Sequence, residues 1–296
     1  MDATQKLDAN NLRKLQLTEL SLLKNLHRVC EKYSIPYFIC YGSAIGAIRH
    51  KGFIPWDDDI DVGMMRSDYE KLKNVPKYEW ESFGVSLVDP SDKCDSHLWT
   101  YPRLYKNGTV FESGTHYYEI KRPNSETSHL RIWLDIFLYD RFDSVGSIEK
   151  TRKKAFWLKK QYYYSVCDRN IRKSDSFVRK IIGLFEKGIH WRLSLYKDPK
   201  AVIWKRYQRL FSDTGDIVTT LDTPYDPKLI MCSIAEMFPL KDIVFEDINV
   251  KIQSNYDKVM RNIYGDYLKL PPVEKRVTHA PVILDFGQGN VMETKE

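Results

Sequence analysis

Several familiar signatures are missing from this chain, and each absence narrows the reading. Cysteine is sparse: Cys30, Cys40, Cys94, Cys167 and Cys232 are odd in number, scattered, and never spaced as CxxC. That pattern argues against a structural zinc site and against a disulfide framework. The lone Cys94-to-His97 spacing is read as no site. No apolar run approaches the roughly 20 residues that a membrane-spanning helix needs, and Met1-Asp2-Ala3-Thr4-Gln5-Lys6 is polar, without the apolar core of a secretion signal. Strong charge of one sign is missing too. A net charge of +6 on 296 residues is too mild to imply nucleic acid, though it suits an anionic substrate or a membrane surface. P-loop, HExxH and GxSxG patterns do not occur, and Gly287-Gln288-Gly289 lacks the strand and helix a dinucleotide loop requires. The expectation is a cytoplasmic enzyme, working at most against the inner face of a membrane.

What is present reads as a folded α+β protein. Hydrophobic content of 43% with 19 tyrosines is ample for a core, in one large domain or two modest ones. Leucines at helical spacing predict a long amphipathic helix over residues 12–33, ended by Ser34-Ile35-Pro36. A strand follows over 37–41, a helix over 44–50, an acidic strand over 59–64 and a helix over 67–74. Residues 84–88 and 98–105 read as strands. Asn107-Gly108 signals a two-residue hairpin turn between Tyr101–Lys106 and Thr109–Glu112, which outweighs its match to a glycosylation sequon. Arg131–Leu138 reads as a buried strand. From about Ser147 the chain turns helical and basic over 147–166 and 175–211. Loop follows over 213–228, then short strands near 229–232 and 248–252 and a helix over 256–264. The organisation expected is a core of mixed β-sheet flanked by helices over 1–145, and a mainly helical region over 146–296 that packs back on it.

The chemistry concentrates at Asp57-Asp58-Asp59-Ile60-Asp61-Val62. Acid alternating with β-branched residue is a strand pattern, and side chains two apart share a face. Asp59 and Asp61 would then converge on one point, and a divalent cation that prefers oxygen resolves their repulsion. Upstream, Gly42-Ser43 lies between a strand and a helix N-terminus, an arrangement that cradles phosphate. Asp135, inside an apolar run, is costly to bury alone. It is either satisfied by Arg131 or Arg141, or it completes the metal shell and accepts a proton from an attacking hydroxyl. Arg49, Arg103 and Lys106 are the cations placed to meet phosphate oxygens. Trp56, Trp99, Tyr101 and Trp133 are aromatic candidates for contact with a quaternary ammonium, or core. The stretch Ser176–Tyr196 is a basic amphipathic helix that either lies on an anionic bilayer or packs on the core.

The run Tyr41-Gly42-Ser43-Ala44-Ile45-Gly46-Ala47-Ile48-Arg49-His50-Lys51-Gly52-Phe53-Ile54-Pro55-Trp56-Asp57-Asp58-Asp59-Ile60-Asp61-Val62-Gly63 resembles the signature of the LicD-like phosphocholine transferases. So do Arg103 with Lys106 and Thr109, Asp135-Ile136-Phe137, and Tyr264–Pro272 with Arg276 and His279. The resemblance implies a DNA polymerase beta-like nucleotidyltransferase fold and Mg²⁺ (or Mn²⁺) as cofactor. The implied reaction is transfer of a phospho-alcohol, typically phosphocholine, from a CDP-linked donor such as CDP-choline to a sugar hydroxyl of a cell-surface glycan, itself free or lipid-linked. By position, Gly42 and Ser43 would hold donor phosphate, and Asp59, Asp61 and Asp135 would bind metal and carry the catalysis. Arg103 stands where the family usually has Lys, a fork in place of a point charge. The cysteine insert of some animal relatives is absent. Two rival functions share these residues: a nucleotidyltransferase moving NMP onto a small molecule or protein, and a catalytically silent glycan-binding protein.

Overall fold

The structure, a computed structural model, describes residues 7–90, 92, 101–113, 131–166, 177–276, 278, 281–287, 289 and 292–293. Helix α1 (Ala9–Tyr33) opens with Asp8, whose carboxylate accepts from the N–H groups of Asn10 and Asn11, and closes on Ser34 in the left-handed region at φ 53°. Its leucine face is buried, Leu15, Leu22, Leu23 and Leu26 completely. This is the amphipathic stripe read from the sequence, covering a sheet.

That sheet is mixed. Strands β1 (Phe38–Ile39), β2 (Asp61–Met65), β3 (Val85–Val88), β4 (Arg103–Lys106) and β6 (Trp133–Phe142) lie in the order β1-β2-β6-β4-β3. β2 and β6 run parallel, and the other pairs in this order are antiparallel. The far end of β6 pairs with β7 (Ile217–Thr219), which pairs with β8 (Cys232–Ser233). β6 is buried on both faces, as its nearly continuous apolar sequence requires of a central strand. Helices α2 (Tyr41–His50), α3 (Arg66–Lys73), α4 (Tyr78–Glu81), α8 (Pro227–Ile230), α9 (Ile234–Met237) and α10 (Tyr256–Tyr264) surround this core. Strands β9 (Lys241–Phe245) and β10 (Ile248–Ile252) form a hairpin. A layer of α5 (Val145–Val166), α6 (Phe177–Ser194) and α7 (Pro199–Gln208) has its own smaller apolar clusters. The fold is α+β.

Several local expectations change. The acidic strand begins at Asp61, so Asp59 lies in the extended segment before it. Gly42 and Ser43 are the first turn of α2 and not a separate loop, because the helix starts at Tyr41. The Asn107-Gly108 turn exists, with Gly108 at φ 76°, but it does not join a hairpin. β4 already has β3 and β6 on its two edges, so β5 (Val110–Ser113) pairs instead with β11 (Pro281–Asp285), which pairs with β12 (Met292–Glu293). The stretch 175–211 divides into two helices at Asp198-Pro199, where Asp198 caps α7. The strand expected near 229–232 is mostly helix α8, started by Asp226 and Pro227. Residues 98–100 of an expected strand, with Trp99, Cys94, His97, Cys167 and His279, lie outside the described residues. The described cysteines, Cys30, Cys40 and Cys232, are buried free thiols. Among the described residues no helix is long and apolar enough to cross a membrane.

Three contacts hold the acidic loop against this frame. The Gln16 side-chain amide donates to the Asp57 carbonyl at 2.9 Å. The Thr278 hydroxyl donates to the Trp56 carbonyl at 2.8 Å. Glu246, at the tip of the β9–β10 hairpin, donates its N–H to the Lys51 carbonyl at 2.7 Å, while its carboxylate takes Arg13 at 2.6 Å. Gly46 lets α2 pack onto the start of this loop: a Cβ there would sit 2.4 Å from the Gly52 carbonyl oxygen.

Candidate active site

Asp61 is fixed through its backbone. Its N–H donates to Ser43 Oγ at 2.9 Å, and its carbonyl accepts from the Cys40 N–H at 3.1 Å. The first turn of α2 is thereby tied to the first residue of β2. The opening N–H groups of a helix have no acceptor within it and carry the positive end of its dipole, so the Gly42-Ser43 turn stands directly beside the acids. The bare backbone of Gly42 lies against the Asp57 carboxylate: a Cβ there would come within 2.8 Å of Asp57 Oδ2.

Across the sheet, Asp61 of β2 is in register with Asp135 of β6, and Asp135 with Arg103 of β4. Acid, acid and guanidinium thus form one row on three adjacent strands, on the same face. Asp135 is buried, and Arg103 Nε donates to its Oδ1 at 2.6 Å, with a second approach of 3.5 Å. The sequence offered Arg131 or Arg141 as its neutralising partner. Those two are engaged elsewhere, Arg131 with Asn107 and Arg141 with the Gly215 carbonyl. Arg103 takes the role because β4 lies next to β6. Its guanidinium is also covered by the Trp133 ring at 4.4 Å.

The charges are out of balance. Burial, then Asp59, Asp135 and Asp57, push the Asp61 carboxyl well above the usual range, and Arg103 only partly offsets them. Burial also raises Asp135, against the pull of Arg103. Burial weighs against the Arg103 cation, yet Asp135 holds its proton more tightly than usual. Among the described residues no three His, Cys, Asp or Glu side chains already form a cluster able to grip an ion; Asp135 is turned to Arg103. In kind, the donors are carboxylates, the hard oxygens that magnesium takes, and they surround excess negative charge. A hard divalent cation suits that donor set.

Sequence reasoning missed Glu19. It lies on α1 among leucines, is buried, and its Oε2 has no hydrogen-bond partner. Burial, then Asp59, Asp58, Asp57 and Asp61, drive its carboxyl well above the usual range. Glu19 therefore lies against the aspartate loop with its carboxyl pushed up by burial and by the neighbouring acids. The signal in the sequence was a single acid on the apolar stripe of an amphipathic helix.

The remaining candidates separate. Arg49 Nη1 donates to the Tyr267 carbonyl at 2.9 Å, and its cation is weakened by burial and then by Arg276. Both guanidiniums flank the Trp56 ring, Arg49 at 5.9 Å and Arg276 at 4.7 Å. Two cations repelling each other beside Asp57 form a natural seat for an anion. Arg276 was noticed only through the family resemblance. Lys106 is not brought to this site. It follows Arg103 by three residues on a strand, hence on the opposite face, and donates to the Phe83 carbonyl at 2.9 Å. Trp56 and Trp133 already face guanidiniums. Tyr101 packs tilted on Phe137 at 4.8 Å, with the Arg103 guanidinium 5.8 Å from its ring centre, and the Tyr225 hydroxyl meets that of Tyr264 at 3.0 Å. Tyr101, Tyr225 and Tyr264 all feel the charge of Asp61.

Comparison with known proteins agrees with this arrangement. The family profile described as "LicD/FKTN/FKRP, nucleotidyltransferase domain" matches residues 34–178, the span that carries α2, the acidic loop, β2, β4 and β6. The lipopolysaccharide cholinephosphotransferase LicD of Haemophilus influenzae is 30% identical over 273 residues, covering 90% of this chain and 95% of that protein. The uncharacterized protein RT0683 of Rickettsia typhi is 44% identical over 186 residues, 56% of each chain. With the carboxylate row and the Gly42-Ser43 turn lying inside the matched span, and similarity running along nearly the whole length, the chain belongs to the LicD family.

Proposed function

We propose that this protein transfers phosphocholine from CDP-choline to a sugar hydroxyl of a lipopolysaccharide-type glycan, releasing CMP. The observation that carries the reading is the row Asp61–Asp135–Arg103 beside the first turn of α2. The similarity to the lipopolysaccharide cholinephosphotransferase of Haemophilus influenzae supports the phosphocholine group and the glycan acceptor. The same reading takes the core to be of the nucleotidyltransferase type and the enzyme to work in the cytoplasm, where CDP-alcohols are made.

Asp59, Asp61 and Asp135 would hold magnesium. Bound there, it would neutralise donor phosphate oxygens and make the phosphorus more electrophilic. The chain's own groups do the rest. The N–H groups at Gly42-Ser43 and the Arg49–Arg276 pair bind and orient the diphosphate. Asp135, its basicity raised by burial, accepts the proton of the acceptor hydroxyl. The hydroxyl oxygen bonds to the phosphorus that carries choline, the pyrophosphate bridge breaks, and the electron pair leaves on CMP. Arg103 steadies Asp135 in either protonation state. Tyr225 and Tyr264 offer π faces to the quaternary ammonium, which is attracted to aromatic rings and cannot accept or donate a hydrogen bond.

Product analysis tests this directly. Purified enzyme is incubated with magnesium, a glycan acceptor and CDP-choline labelled separately in choline or in cytidine. The expected result is choline label in the glycan and free labelled CMP. Cytidine label in the acceptor would make the protein a nucleotidyltransferase. No metal-dependent binding of CDP-choline by calorimetry would make it a silent glycan binder.

A further inference from the structure

The charge of this chain is unevenly spread. Helices α5, α6 and α7 carry thirteen Lys and Arg (six, four and three) against Glu149 and Glu186. The whole chain is only +6, so everything outside these helices is net acidic. The net excess of positive charge belongs to one layer.

Helix α6 is also apolar on two sides. Inward, Ile189 and Leu193 pack with Leu158 of α5 and Ile203 of α7. Outward, Leu184 and Trp191 of α6 and Leu195 just past its end recur seven and four residues apart and are 68%, 66% and 66% exposed. On α5, Phe156 is 68% exposed and the neighbouring Trp157 is 41% exposed. A helix of a water-soluble face would carry polar groups at these positions. Lys153, Lys154, Lys187 and Arg192 are exposed beside them.

We propose that the outward faces of α5 and α6 dock on an anionic lipid bilayer. Large apolar and aromatic side chains at headgroup depth, with lysines reaching to lipid phosphates, are what an interfacial helix presents. Charge complementarity selects this occupant over a second copy of the chain, whose equally basic face would be repelled. The inference does not depend on the transfer reaction, and its test contains neither donor nor sugar. It would bring a water-borne enzyme to acceptors anchored in the membrane.

The test is vesicle flotation of the full chain. Vesicles of phosphatidylcholine alone are compared with vesicles containing about one quarter phosphatidylglycerol, for the parent protein, Lys153→Glu/Lys154→Glu and Trp191→Ser/Leu195→Ser. The parent should float with the anionic vesicles only and be released by salt. Each double variant should lower the partition coefficient by roughly ten-fold or more, with a circular dichroism melt that superimposes on the parent's. The proposal fails if the parent ignores anionic vesicles, binds neutral ones equally, or loses nothing in the variants. It fails also if sedimentation equilibrium finds a dimer that Trp191→Ser/Leu195→Ser dissolves, which would give the face to a second copy.

Discussion

At the residue scale, this protein keeps like charges together. Asp57, Asp58, Asp59 and Asp61 share one loop and strand end, with Asp135 in register beside them and Glu19 below. Carboxylates crowded in this way repel one another, and under the proposed function a bound cation would relieve that repulsion, so removing one should cost activity and not stability. Asp61→Asn and Asp59→Ala are expected to lower CMP release by about a thousand-fold or more. Their thermal midpoints should equal or exceed the parent's. A rate near that of the parent in either variant would remove that residue from the chemistry. Arg103 behaves in the opposite sense. It is the counter-charge of a buried acid, and Arg103→Met should destabilise the protein by about 3–5 kcal/mol in urea unfolding. Arg103→Met/Asp135→Asn should recover much of that loss, because neither partner is then left charged in the interior. If the single variant unfolds with the parent's midpoint, Asp135 has another partner.

At the scale of elements, the site is assembled by short pieces clamped to long ones. Helix α4 has only four residues, too few to persist alone, and is held on α1 by Glu79. That buried carboxylate takes Lys32 and Arg28, and the Tyr33 hydroxyl donates to it at 3.2 Å. Lys32 first, then Arg28, pull its carboxyl down from 4.5 to about 2. A depressed folded value means that the unfolded chain binds the proton more readily. The clamp therefore contributes fully above about pH 4.5 and is lost as pH falls toward about 2. Glu79→Gln should lower the urea midpoint at neutral pH, with the gap from the parent closing progressively below about pH 4.5. A gap that does not change with pH would mean that the pairing contributes nothing. Elements also explain why β4 and β5 do not form a hairpin. A turn sequence sets the chain direction, but strand edges decide the partners.

For the whole molecule, the question is how the basic helical layer is joined to the main sheet. Arg66, the first residue of α3 directly after β2, makes a two-pronged bond with Asp140 of β6 at 2.6 and 2.8 Å. Asp222 stands 4.0 Å from Arg66 and accepts from the Tyr207 hydroxyl of α7 at 2.7 Å, with Lys159 of α5 at 2.8 Å. Asp222 is thus the joint between sheet and layer. Asp222→Ala leaves the buried Tyr207 hydroxyl without its acceptor and the half-buried Lys159 without its carboxylate, and should cost about 2–4 kcal/mol. Limited proteolysis should then cut within α5–α7 sooner than within the sheet, and equal protection of both would refute the joint. The two halves of the chain share more than this contact, since β7 and β8 extend the main sheet and β11 pairs with β5. Composition shifts along a chain report which segments are basic or helical. They do not report which strands are neighbours.

By itself the sequence determined the α+β class, the long amphipathic α1 and the buried central strand, because apolar periodicity is a local property that burial preserves. It also singled out Asp59, Asp61, Asp135 and the Gly42-Ser43 turn, and with them the family, because acids placed among β-branched residues are costly without a use. Only the tertiary structure decided that Arg103, and neither Arg131 nor Arg141, neutralises Asp135, that Lys106 points away, and that Glu19, Tyr225 and Tyr264 come within reach of the aspartates' charge. Those are pairings between segments far apart in the chain. Their energy depends on a strand order and register that no local pattern specifies.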